Sequence, residues 1–95
     1  MKEISHYKIK LFDALDDTWD KKWYQKDGIK ISKTIKGEKE EAKIHIWEVR
    51  GGYQCAILKD GSYHNHGMTK DKPPLSVVAA VTHALNLEKI LINLS

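Results

Sequence analysis

Cysteine is nearly absent from this chain, with Cys55 the only one among 95 residues. One thiol cannot close an internal disulfide, so a stapled secreted scaffold is excluded and a reducing, cytoplasmic setting is expected. Arginine is equally scarce: fifteen of the sixteen basic residues are lysine, and Arg50 is the exception. Lysine is a flexible point charge that suits phosphate oxygens, whereas bidentate reading of base edges relies on the planar guanidinium fork. Any nucleic acid bound here is therefore expected to be held by its backbone, without strict sequence preference. Long apolar runs are missing too, so no segment reaches membrane-spanning length. Residues 1–10 alternate polar and apolar and lack the apolar stretch of a signal peptide. There is no internal repeat, no low-complexity tract, and no catalytic or cofactor motif of any specificity. The expectation is a soluble cytoplasmic protein that is not an enzyme, takes no cofactor and binds no membrane.

What is present describes one globular domain spanning residues 1–95. Apolar residues make up 41% and charged residues 31%, a balance that can build a modest core and is unlike that of a disordered chain. The net charge of +3 permits a polyanionic partner without demanding one.

Two tight hairpins are written between Ala42 and His66. Arg50-Gly51-Gly52-Tyr53 and Lys59-Asp60-Gly61-Ser62 are two-residue turn signals, because glycine supplies the positive φ such loops demand. Strands are expected at about 42–50, 53–59 and 62–66. Loops at Gly51-Gly52 and Asp60-Gly61 would set Ile46 opposite Ile57, Trp47 opposite Ala56 and Glu48 opposite Cys55. Ile57 would face His64, and Cys55 would face His66. Alternation then puts Ala42, Ile44, Ile46, Tyr53, Cys55, Ile57, His64 and His66 on one face of the sheet. Lys43, His45, Trp47, Val49, Gln54, Ala56, Leu58 and Tyr63 share the other. Residues 29–36 alternate as well, and Lys33, which interrupts the apolar side, marks an expected edge strand.

Helical spacing appears twice. Phe12, Leu15, Trp19 and Trp23 recur at three- and four-residue steps, with Asp13, Asp16, Asp17 and Asp20 on the far side, which predicts a helix over 11–25 ended by Asp27-Gly28. Residues 4–10 read as a short strand or as the lead into that helix. Pro73-Pro74 suits a helix start, and a helix without charge is predicted over 75–86. Its stripe of Val77, Val81 and Leu85 would pack on the sheet, leaving Ala79, Ala80 and His83 on an outer side that carries no charge. Leu87, Ile90, Leu91 and Leu94 fall on a different face, so a break near Asn86 and a closing strand at 90–94 are expected. The fold class is α+β: an antiparallel sheet of three to five strands, packed by two helices.

Four groups of residues carry the functional expectations. Lys30, Lys36, Lys43, His45, Trp47 and Tyr63 interleave cations with aromatic rings on a sheet face, offering stacking and phosphate neutralisation, and Lys70 and Lys72 could add phosphate contacts. The acidic Asp13, Asp16, Asp17 and Asp20 are better explained as a solvated helix surface, although such a stripe could also dock a basic partner. The uncharged side bearing Ala79, Ala80 and His83 would permit close approach of a second copy around a twofold axis, which predicts a homodimer. Cys55, His64 and His66 could in principle share an ion, but the chain has no paired cysteines or helical His-x-x-x-His, and no metal is expected. Two functions remain. The first is a small nucleic-acid-binding protein using the lysine and aromatic face. The alternative is a protein-binding regulator or inhibitor, of the kind mobile elements often carry, acting through the acidic first helix or the uncharged second one.

Overall fold

The computed structural model describes residues 13–24, 28–37 and 41–94. Five antiparallel strands form one sheet in the order in which they occur along the chain. They are β1 (Asp20–Tyr24), β2 (Gly28–Lys36), β3 (Glu41–Val49), β4 (Gly52–Lys59) and β5 (Ser62–His64), followed by the helix α1 (Val77–Leu94). No described helix is long and apolar enough to cross a membrane. The expectation of residues 4–10, and positions 11, 12 and 25 of the expected first helix, lie outside the described residues.

The β4–β5 hairpin has the expected register, with Ile57 opposite His64 and Lys59 opposite Ser62. Its loop residues Asp60 and Gly61 both take positive φ, 52° and 80°, as a two-residue turn matched to strand twist requires. The β3–β4 hairpin differs: Ile46 faces Cys55, Ile44 faces Ile57, Trp47 faces Gln54 and Glu48 faces Tyr53. The loop is Arg50-Gly51, with Gly51 at φ 90°, and Gly52 already belongs to β4. Gly52 has a different task. A Cβ there would lie 2.6 Å from the Leu75 carbonyl oxygen, so its missing side chain lets the 75 segment pair closely with β4. Leu75 and Tyr53 exchange two backbone hydrogen bonds, of 2.8 and 2.9 Å. The change moves each β3–β4 partner by two residues, which is one full period of a strand, so the faces keep their expected composition.

One face of the sheet is the core. Ile29, Ile31, Ile44, Ile46, Tyr53, Cys55 and Ile57 are buried there with Leu15, Trp19 and the helix residues Ala80, Ala84 and Leu87. Alpha-helix α1 begins after Ser76, whose Oγ accepts from the Ala79 N–H at 3.1 Å and caps the first turn. It then runs unbroken to Leu94, so there is no break near Asn86 and residues 90–94 are helical. The reason is the choice of buried stripe. Ala80, Ala84, Leu87 and Leu91 follow one helical face, with Val77 and Val81 beside it, whereas Val78 is 75% exposed and Ile92 53% exposed. Ala80 has no exposed surface at all, so it anchors the helix to the sheet and cannot line a contact with a second copy.

The expected first helix is corrected more deeply. Asp13 and Ala14 are helical, but Asp16–Trp19 form a turn and Asp20–Tyr24 are the edge strand β1. The Asp16 carboxylate accepts hydrogen bonds from the Thr18 backbone N–H at 2.9 Å and from the Thr18 hydroxyl, a local closure that competes with helix. Trp19 and Trp23 are four residues apart, a spacing that fits two strand periods as well as one helical turn. Because β1 pairs with β2 from Asp20↔Ser32 to Tyr24↔Gly28, β2 is an interior strand and not an edge. Lys33 is inward for another reason: it is paired with Glu88 of α1 and lies over the Trp19 ring, 5.6 Å from its centroid.

Candidate nucleic-acid interface

The face of the sheet opposite α1 is built in cross-strand rows. Lys30 pairs with Trp47, which pairs with Gln54; Ser32 pairs with His45, then Ala56; Thr34 pairs with Lys43, then Leu58, then Tyr63. Lys36 ends the face opposite Glu41, and Lys22 adds a further cation opposite Lys30. Six of the expected residues, Lys30, Lys36, Lys43, His45, Trp47 and Tyr63, therefore share this surface.

Its centre is aromatic. The Tyr63 ring stands 5.1 Å from that of Trp47, tilted by 46°, and 5.8 Å from that of His45, at right angles. Ala56 lies between these residues in register and is fully buried, although no described helix or strand covers this face. A small residue at that point lets the three larger rings lean inward over β4. The pKa of His45 is lowered, first by burial and then by the charges of Lys43 and Lys30, so the ring is neutral at neutral pH and the lysines are the cations. Its Nε2 is buried and has no hydrogen-bond partner among the described residues.

Two contributors were not among the residues expected from sequence to bind nucleic acid. Gln54 is buried on this face and uses its amide as a clasp, donating to the Met68 carbonyl at 2.9 Å while its oxygen accepts from the Met68 N–H at 2.8 Å. That clasp starts the loop carrying Lys70 and Lys72 next to the Trp47 row; both lysines are exposed. Strand alternation had placed Gln54 on the correct side, but nothing in a lone glutamine announces a loop clasp. His66 was expected on the core face. Instead β5 stops at His64, Asn65 takes φ 56°, and the His66 ring comes 6.4 Å from that of Tyr63.

The remaining candidates are dispersed. Asp13, Asp16, Asp17 and Asp20 are exposed, but a helical residue, a turn and a strand carry them, so they form no helical stripe. Hydrogen bonds from Thr18 hold the Asp16 carboxyl below its ordinary pKa, and Asp20 pairs loosely with Lys22 at 3.6 Å. His83 Nε2 bonds the Asn65 carbonyl at 2.7 Å, tying α1 to the end of β5, while Ala79 is half-buried. Cys55 is buried whereas His64 and His66 are exposed, and among the described residues no three His, Cys, Asp or Glu side chains could hold a metal ion together.

Burial pushes the Cys55 thiol up to about 12, so essentially no thiolate exists at pH 8. A disulfide reagent should leave the native protein unmodified and react promptly once denaturant is added. Fast reaction of the native thiol would show that β4 is not covered by α1.

Against protein-family models, curated proteins and solved structures, the chain matches none.

Proposed function

We propose that this chain is a small, non-enzymatic nucleic-acid-binding protein that grips the phosphate backbone through the lysine and aromatic face of its sheet. The observation that supports this reading is the register: Lys30 beside Trp47, and Lys43 in one row with Tyr63 across Leu58, on the face that α1 leaves uncovered. Cations at the rim neutralise phosphates, and rings at the centre offer flat apolar surface to bases. With a single arginine, at the β3–β4 turn, the face has little means of reading base edges, so affinity should vary weakly with sequence.

Lys43→Ala combined with Trp47→Ala tests the reading. Binding of a labelled oligonucleotide should weaken at least tenfold, and the slope of log affinity against log salt should fall by about one for the lost lysine. Unchanged binding and an unchanged slope in a folded double variant would remove this face as the interface.

One observation favours the alternative, a protein-binding regulator or inhibitor. Val78, Leu85 and Ile92 recur every seven residues along the outer side of α1 and are all exposed. Such a stripe could receive a partner protein or a second copy, in place of the Ala79, Ala80 and His83 side. Capture of the same protein partner with and without nuclease, abolished by Leu85→Glu, would favour this second reading.

A further inference from the structure

Resting on the reading above, we infer that the nucleic acid this face accepts is single-stranded, with unstacked bases laid on Trp47 and Tyr63. Three features converge. The rings lie at the middle of a sheet face, over the buried Ala56, with Tyr63 42% exposed. In a duplex the flat surfaces of the bases are already occupied by their neighbours, so a ring on a broad sheet can engage only a base that has left the stack. A duplex reader would instead need a helix or a two-stranded ribbon narrow enough to enter a groove, whereas the described residues of this face lie across a five-stranded sheet, apart from the loop that Gln54 clasps.

The cations fit the same occupant. Lys30 flanks Trp47 in one cross-strand row, and Lys43 lies two rows along the strand in the row that ends at Tyr63. Neighbouring strands lie about 4.7–4.9 Å apart, so Trp47 has Lys30 one strand away and Tyr63 has Lys43 two strands away in its own row. Ser32 and Thr34 follow Lys30 along the same face of β2, Thr34 opposite Lys43, and add hydroxyl groups that can donate to phosphate oxygens. A chain with bases on the two rings and phosphates toward Lys30 and Lys43 uses the whole row pattern. The hydroxyls and rings select no sugar, so DNA and RNA strands share this chemistry.

Fluorescence anisotropy can separate the possibilities, using labelled twelve-nucleotide oligothymidine and oligouridine strands beside a twelve-base-pair duplex at one fixed salt concentration. Both single strands should bind at least tenfold more tightly than the duplex. Trp47→Ala and Tyr63→Ala should each weaken single-strand binding about tenfold and leave duplex binding nearly unchanged, whereas Trp47→Phe and Tyr63→Phe should retain most of the affinity. Circular dichroism establishes that each variant is folded. Equal affinity for strand and duplex would overturn this inference while leaving backbone binding in place. A preference for single strands that survives loss of both rings would overturn it as well. Tight binding of one sugar type alone would overturn the sugar-blind part of the inference. Absence of binding to every oligonucleotide would remove the proposed function itself.

Discussion

Replacing Ala80 by glutamate should abolish the folded state. Ala80 sits where α1 meets the sheet and has no exposed surface. A carboxylate there would have to be stripped of water inside an apolar cluster, and its added methylenes would push α1 off β3 and β4. Together these effects cost several kcal/mol or more, in a domain of a size whose whole stability is about 5–15 kcal/mol. Circular dichroism should show loss of the cooperative thermal transition for Ala80→Glu. Thr82→Glu, on the exposed side of the same helix, should change stability by no more than about 0.5 kcal/mol. A cooperative, wild-type-like melt for Ala80→Glu would mean that α1 packs by another face.

The second large effect belongs to Lys33 and Glu88. Their side chains are only 19% and 17% exposed, and their ion pair is the charged link between β2 and α1 among the described residues. Lys33→Ala strands the Glu88 carboxylate at the core boundary and removes the ammonium from the Trp19 ring. With residual solvent access taken into account, the expected loss is about 1–3 kcal/mol. The pair itself also carries a desolvation cost, so exchanging both partners for apolar residues is a different experiment. Lys33→Met with Glu88→Leu should lie within about 1 kcal/mol of the unmodified protein. Urea denaturation of Lys33→Met, of Glu88→Leu and of the double variant measures the coupling. If the two single losses simply add in the double variant, the pair contributes nothing to docking the helix.

The contrast between β3–β5 and the rest shows what local pattern can carry. Alternation placed His45, Trp47 and Tyr63 on one side and Ile44, Ile46 and Cys55 on the other, and the register error in the β3–β4 hairpin did no harm because it was one full strand period. The two-residue slip arose from Gly52, which looked like a turn residue and serves a tertiary approach by Leu75. At the start of the described chain, Leu15 and Trp19 do enter the core as their apolar character implied, but from the bend and turn that precede β1 and not from a helix. A four-residue interval is common to both periodicities, so spacing alone could not separate them. In α1 the misreading was one of size. Val77 and Val81 do pack against the core as expected, but Leu85 is exposed, and the centre of the contact is taken by alanines at 80 and 84, which let the helix sit close to the sheet. Lys33 looked like an edge device because its partner, Glu88, is 55 residues away.

The strand order leaves a signature on how this protein must assemble. Every strand lies beside its neighbour in the chain, so the sheet can zip together through a series of small loops, each with a modest closure entropy. Among the described elements, α1 reaches back across the molecule, touching β2, β3 and β4. Until it does, the row of isoleucines from Ile29 to Ile57 lacks the cover of Ala80, Ala84 and Leu87. The hairpins can therefore form locally, and docking of the helix adds the burial that an isolated sheet lacks.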